Sequence, residues 1–310
     1  MRIIYNTSDF IKAIKELIDS EEQETESYDI ETMRLIKKGI YMEIDFKETP
    51  ELEQNLHWHN SSNVLCNYMR EPEYFIKILK NQAIIPRYVT EPLDYLKVDG
   101  LKRIAFPMTC FCDIPFSKVG NHMTSYGGYG IALDKNKVIR NNKIQPIHYM
   151  NPASPLVADF KEAFNANYNV GKKAHKEDEV LLNYLLSTLL YMKPISNLVE
   201  KDGKYKMYIF QDECEWRYIP DCKSISSIPL IINDNKITEK RKNTYSDVLE
   251  KHTETWVKFD WKDLIHIVVP DEVALQTIID AIMELPLDNE KKYILISKIQ
   301  ISNRFTEDLV

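Results

Sequence analysis

Glycine is scarce in this chain, with eight residues in 310. A sequence so poor in glycine places it where the backbone needs positive φ or where another group must come close. Three of the eight, Gly127, Gly128 and Gly130, fall within four positions, which singles out their neighbourhood. Long apolar runs are also missing. No stretch of about eighteen apolar residues occurs, which excludes a membrane-spanning helix. The first residues, MRIIYNTSDF, lack the apolar core and small-residue cleavage site of a secretory signal. Cysteine is sparse and odd in number, five in all, and forms no disulfide-like framework. These features together predict a reducing, cytoplasmic setting. There is no P-loop, no G-x-G-x-x-G and no G-x-S-x-G, so the nucleotide-binding and hydrolase chemistries those motifs carry drop out. The net charge of −7 speaks against a broad phosphate-binding surface. No internal repeat or low-complexity segment is visible.

What is present is enough for a core: 44% of residues are apolar and 28% are charged. Residues 1–54 read as an N-terminal appendage. A helix with Phe10, Ile11, Ile14 and Leu17 at helical spacing is followed by an acidic patch, an alternating segment over 35–47 and a polar linker around Pro50. Residues 55–310 read as a single domain. A helix begins at Pro72 and carries Phe75, Ile76, Ile78 and Leu79, closing at Asn81-Gln82. Residues 88–102 look loop-like. Arg103 to Leu133 then forms the centre of the chain. Two apolar runs that read as buried strands flank an irregular polar connection carrying Asp113, Ser117, Asn121, His122 and Tyr126-Gly127-Gly128-Tyr129.

Beyond the centre, Gln145–Met150 reads as a strand and 151–175 as irregular. Glu177–Met192 is the strongest helix, with Lys193-Pro194 ending it. Lys204–Phe210 and Trp216–Pro220 read as two strands around Gln211–Glu215, and the basic run Lys236–Asn243 as surface. A strand at Leu264–Val269, a helix capped by Asp271 and a strand over Tyr293–Ile301 make a strand–helix–strand unit. The fold class that follows is α+β, a mixed, largely antiparallel sheet with flanking helices.

Three constellations could carry chemistry. Cys110-x-Cys112, His122 and His57-x-His59 contain metal-ligand types, but the spacing is not that of structural zinc, and period 2 on a strand places both thiols on one face. No metal is predicted. A Cys112–His122 nucleophile lacks a feature that would lower the thiol pKa. In Gln211-Asp212-Glu213-Cys214-Glu215-Trp216-Arg217, strand spacing puts Glu213, Glu215 and Arg217 in one row with Trp216 facing the core. That row is either a salt-bridged edge or a carboxylate held ionised against a cationic transition state.

The blocks FPMTCFCDIPFSKVGNHMTSYGGYGIAL, QPIHYM and DECEWRY resemble the AbiGi proteins of bacterial abortive-infection systems over roughly residues 55–220 and more loosely beyond. The resemblance implies a phage-defence or toxin–antitoxin context. AbiGi is described as the antitoxin-like partner of a nucleotidyltransferase-like toxin, AbiGii. A second resemblance lies in His59-Asn60-Ser61, Ile78–Asn81, Tyr129 and Glu215, which are similar to the His–Tyr–Glu layout of ADP-ribosyltransferases, including the DarT type. It implies an ADP-ribosyltransferase-like core with NAD as cofactor. His59 and Ser61 would grip NAD, with His57 competing for the first role. Tyr126 or Tyr129 would stack on nicotinamide. Glu215 would be the catalytic carboxylate, with Glu213 competing, and Arg217 or Arg103 would orient it or bind phosphate. Such chemistry suits a leaving group that is already cationic, because orientation and a nearby negative charge matter more than acid. Nucleic acid enters only as an acceptor, beside protein. The rival expectation is a non-catalytic antitoxin or sensor that binds a toxin or phage component, with homo-oligomerisation open.

Overall fold

The computed structural model describes residues 61–304 apart from 99, 169–175 and 202–203. All of them fall in the unit His57–Val310. The readings for residues 1–54 lie outside the described residues.

Strands in chain order are β1 (Val64–Met69), β2 (Ala83–Ile84), β3 (Arg87–Pro92), β4 (Arg103–Cys112), β5 (Tyr129–Asp134), β6 (Gln145–Pro146), β7 (His148–Met150), β8 (Met192–Pro194), β9 (Ser196–Lys201), β10 (Lys204–Ile209), β11 (Glu215–Tyr218), β12 (Ile232–Asn233), β13 (Val257–Lys258), β14 (Leu264–Val269) and β15 (Ile299–Ile301). Helices are α1 (Pro72–Asn81), α2 (Gly120–Tyr126), α3 (Lys135–Asn142), α4 (Pro155–Tyr168), α5 (Lys176–Leu190), α6 (Glu239–Leu249), α7 (Glu272–Met283) and α8 (Asn289–Ser297). The main sheet runs β15-β14-β5-β1-β4-β11-β6, with β3 and β12 also paired to β4. Every pair in it is antiparallel except β14 with β15. The α+β, largely antiparallel expectation holds.

The ten-residue β4 is long enough to serve two sets of partners. Residues 103–108 pair with β3, and Thr109–Cys112 pair with β11. Ala132, Cys66, Cys112 and Glu215 form one row across β5, β1, β4 and β11. Directly opposed residues share a face and successive residues alternate. One face therefore carries Cys66, Cys110, Cys112, Phe106, Met108, Glu215 and Arg217. Part of it packs with Ile114 and Val119 beside α2, and part with Val157, Phe160 and Phe164 of α4 and Leu185 and Leu189 of α5. The other face carries Leu65, Phe111, Ile131 and Leu133 against Phe75, Ile78 and Leu79 of α1, Ile278 and Ile282 of α7 and Leu295 of α8.

Several segments depart from the sequence reading, each for a local reason. The stretch read as irregular contains α4, whose Val157, Phe160 and Phe164 fall at helical spacing behind Pro155. The loop-like 88–102 contains most of β3, which completes an edge of β4. Tyr293–Ile301 is mostly helix: Asp288 caps α8 by accepting from the Lys291 amide, and only Ile299–Ile301 is strand. A parallel partner for β14 needs a crossover, and α7 with α8 supplies it. The strongest helix stops at Leu190, and Met192–Pro194 leaves it as β8 to pair with β7. The two strands read around Gln211–Glu215 are present as Lys204–Ile209 and Glu215–Tyr218, the first paired with β9 in a separate ribbon and the second with β4 in the main sheet.

The glycine cluster does both things expected of it. Gly127 has φ +116°, and a Cβ there would lie 2.2 Å from the Met69 carbonyl oxygen. At Gly130 the close approach is by the ring of Tyr68, 2.6 Å from where a Cβ would sit. The groups that demand glycine thus belong to the chain itself.

Candidate functional site

A chain of buried charges lies on the sheet face that carries Glu215. It starts from a turn. Phe210–Glu213 is a short 3-10 segment, and Cys214 takes the left-handed conformation at φ 43° before β11 begins. The kink sets Glu213 beside Glu215 although only the latter is on a strand. Both reach Lys193 of β8, whose Nζ donates to Glu213 Oε2 at 2.6 Å and Glu215 Oε2 at 3.0 Å. Arg217, two residues along β11 and on the same face, donates through Nε to Glu215 Oε1 at 2.5 Å and through Nη2 to Glu215 Oε2 at 3.3 Å. Its Nη2 also reaches Glu91 of β3 at 2.9 Å, and its Nη1 reaches the Leu190 carbonyl at 2.8 Å. Tyr126, at the end of α2, donates its hydroxyl to Glu213 Oε1. The Glu215 amide donates to the Tyr149 hydroxyl at 2.7 Å.

All five charged members are buried, Arg217 completely. Three carboxylates face two cations, and the carboxylate oxygens of Glu213 and Glu215 each have a donor. Burial alone would raise the Glu215 carboxyl, but the Arg217 guanidinium and the Lys193 ammonium override it and hold it down at about 2. Burial would lower Lys193, and the carboxylates of Glu215, Glu91 and Glu213 drive it well above its ordinary value. His122 of α2 stacks on Tyr126 with ring centroids 4.5 Å apart and meets Tyr68 edge-on at 5.6 Å. Burial, reinforced by Lys193, lowers it to about 4, so it is neutral at pH 7. A buried network with its members paired is a specifying element, and removing one member strands a charge.

A second buried pair lies on the opposite face. Lys135, fully buried, donates to Asp113 Oδ2 at 2.5 Å and to Ser61 Oγ at 3.0 Å, and the Ser62 amide donates to Asp113 Oδ1 at 2.9 Å. Its ammonium lies 5.1 Å from the Trp216 ring centroid.

The residues singled out in the sequence are distributed as follows. Glu215, Glu213, Arg217 and Tyr126 meet in the network. Trp216 packs against the other face, as its parity requires. Tyr129 is on that face too, with its ring 6.3 Å from Phe75 and Asp271 and Glu73 nearby. It is separated from Glu215 by β1, β4 and the thickness of the sheet. Ser61 is held by Lys135. Arg103 pairs with Asp234 at the far end of β4, nine residues from Cys112, roughly 30 Å along the strand. His57 and His59 lie outside the described residues. Among the described residues no group of three or more His, Cys, Asp or Glu side chains could hold a metal ion, and no helix is long and apolar enough to cross a membrane.

Lys193 and Glu91 are the members that sequence reasoning missed. Lys193 sits between Met192 and Pro194 and reads as a helix stop, and Glu91 precedes Pro92 in a segment read as loop. The available signal was a single charge inside an apolar context, which buried ion pairs require. Two clefts, of about 580 and 450 Å³, lie elsewhere and share Ile219 and Asp221. Tyr218, Trp256 and Phe259 are among the residues that line the first. None of the network residues lines either.

A family described as abortive phage resistance protein AbiGi, antitoxin, matches residues 82–270, which take in β2 to β14 and the whole network and leave out β1 and β15. An abortive phage resistance protein AbiGi from Lactococcus lactis subsp. cremoris is 31% identical over 249 residues, covering 73% of this chain and 99% of that protein. No solved structure matches.

Proposed function

Because the chain belongs to the AbiGi family of abortive phage resistance proteins, we propose that it serves in phage defence as an antitoxin that acts by binding a partner toxin, not by group transfer. The observation that carries this reading is the state of Glu215. A carboxylate that stabilises a cationic transition state needs an oxygen facing the reacting centre. Both oxygens of Glu215 face Arg217 and Lys193, and both cations are themselves buried. The alternative, ADP-ribosyl transfer from NAD with His59 and Ser61 as the NAD grip and Tyr129 or Tyr126 as the stacking wall, requires that pairing to open. It also requires Tyr126 to serve in place of Tyr129, because Tyr129 is across the sheet.

The test combines binding with transfer. The purified chain is titrated calorimetrically with an AbiGii-type toxin, the partner implied by the resemblance. Separately, it is incubated with radiolabelled NAD, the toxin and single-stranded nucleic acid. Saturable binding with no label on protein or nucleic acid is the expected result. Label transfer that vanishes in Glu215→Gln while the variant's melting curve survives would establish the transferase instead.

A further inference from the structure

We propose that the larger of the two clefts binds a nucleoside monophosphate. The site is separate from the buried network, and the proposal goes beyond the antitoxin reading without depending on it. Three segments meet around the cleft: the end of α3, the end of β11 and the stretch from Glu254 to Asp260. Asn142 ties the first to the third. Its Nδ2 donates to the Val138 carbonyl within α3 and to the Lys258 carbonyl, each at 3.2 Å. Lys143, the next residue, therefore shares a wall with Lys258. Val257 and Phe259 are buried, and strand alternation turns Trp256 and Lys258 the other way.

The lining supplies a partner for each part of a nucleotide. Trp256 and Tyr218 are half-buried aromatic surfaces. The Trp256 indole is fixed by donating through Nε1 to the Leu249 carbonyl at 2.9 Å. Tyr218 rests on the apolar core, and its hydroxyl has no hydrogen-bond partner among the described residues. A preset aromatic surface stacks any base. Asn141, exposed at the rim, offers a donor and an acceptor to a base edge.

The charges select the anion. Lys143 and Lys258 are exposed, and no carboxylate lies within ion-pair distance of either among the described residues. The carboxylates of the lining are already engaged. Asp221 accepts from the Lys223 amide at 3.0 Å, Glu254 lies 2.9 Å from His252 Nδ1, and Asp260 lies 3.4 Å from Lys262 Nζ. The unpaired charge in the cleft is thus positive. Each carboxylate still has lone pairs to spare, and these suit the hydroxyls of a ribose. A neutral nucleoside would leave the lysines unused, and an aromatic acid without hydroxyls would leave the carboxylates unused. The volume, about 580 Å³, is in the usual range of small-molecule sites. The same chemistry occurs in one unit of a single strand, but a net charge of −7 disfavours a long polyanion.

The experiment titrates the full chain calorimetrically with AMP, GMP, CMP and UMP, and with adenosine, inorganic phosphate and a short single-stranded RNA. At least one monophosphate should saturate at one per chain, with adenosine and phosphate at least about tenfold weaker. Trp256→Leu should weaken the monophosphate about tenfold by removing a stacking surface. Lys143→Glu with Lys258→Glu should also weaken it about tenfold and flatten its salt dependence. Both lysines are exposed, so this variant should melt with the parent chain and keeps the test intact if Trp256→Leu unfolds. Lys118→Glu, an exposed site beside α2, should change nothing. The proposal is overturned if no monophosphate binds at about 1 mM, if phosphate alone binds as tightly, or if the lysine variant stays within twofold of the parent. Equal weakening by Lys118→Glu overturns it too. An RNA that binds more than about tenfold tighter than any monophosphate transfers the cleft to single-stranded nucleic acid and overturns the free nucleotide as its ligand. None of these results bears on toxin binding, which is measured separately.

Discussion

Replacing Arg217 by methionine keeps most of the side-chain volume and removes the guanidinium that joins Glu91 to Glu215. The loss can be worked from two directions. Breaking one side of a buried ion pair typically costs about 3–5 kcal/mol, because the stranded charge has neither water nor partner. Independently, Glu215 is held at about 2 against an ordinary value of 4.5, a difference on the order of 3 kcal/mol between its two protonation states, most of which comes from Arg217 and Lys193. For a domain of this size about 2–4 °C of melting temperature accompanies each kcal/mol, so Arg217→Met should melt roughly 10 °C lower at pH 7. The pH dependence carries the sharper test. A carboxyl depressed by folding contributes stability that is present above its unfolded value and is lost as pH falls through its folded value. In the parent chain this contribution should decline between about pH 4.5 and about pH 2. In Arg217→Met the Glu215 carboxyl rises, protonation relieves the stranded charge, and the gap between variant and parent should narrow on going from pH 7 to pH 4. Urea denaturation at both pH values measures it. A loss below about 1 kcal/mol at pH 7, the range of a surface pair, would refute the reasoning, as would a gap that does not shrink with acid.

Three other substitutions probe the remaining supports. Gly127→Ala puts a methyl against the Met69 carbonyl at a positive φ; it should cost at least about 2 kcal/mol, read by urea denaturation at pH 7. Lys135→Met strands Asp113 and should cost about 3 kcal/mol, while adding Asp113→Leu should recover most of that loss, since well-packed apolar pairs commonly replace buried ion pairs without penalty. Asp288→Ala removes the cap of α8 and should cost about 1 kcal/mol in chemical denaturation.

The parts of the fold that were legible in the sequence are those where one local rule acts alone. Pro72 with Phe75, Ile78 and Leu79 spells a helix, and the structure closes it at Gln82 in the left-handed conformation. Asp271 caps α7 by accepting from the Ala274 amide. Cys110 and Cys112 share a face because the strand period requires it. Where two rules overlap, the local signal misleads. Tyr293–Ile301 alternates like a strand, yet Asp288 and the need for a crossover to β15 make most of it helix. The Asn-rich 151–168 looks irregular, but three apolar side chains at helical spacing suffice once α5 and β4 offer a surface to bury them.

The candidate site divides along the same line, and the division bears on its function. Glu215 and Arg217 are two apart on one strand, so their shared face is a local fact that spacing reveals. Lys193 and Glu91 reach them from 22 and 126 residues away, through β8 leaving a helix early and β3 forming in an apparent loop. A local reading therefore finds the acid and its arginine and sees a carboxylate with one oxygen to offer. Lys193 takes that oxygen, and Glu91 holds the far side of the arginine. They turn a catalytic-acid candidate into the centre of a closed ionic cluster, which also anchors Tyr126 and Tyr208 of β10. Loosening it by Glu213→Gln, which weakens its bonds to Lys193 and Tyr126, should cost about 2 kcal/mol in urea denaturation at pH 7. A variant as stable as the parent chain would show that Glu213 is not a working member of the cluster and that Glu215 is held by Arg217 and Lys193 without it.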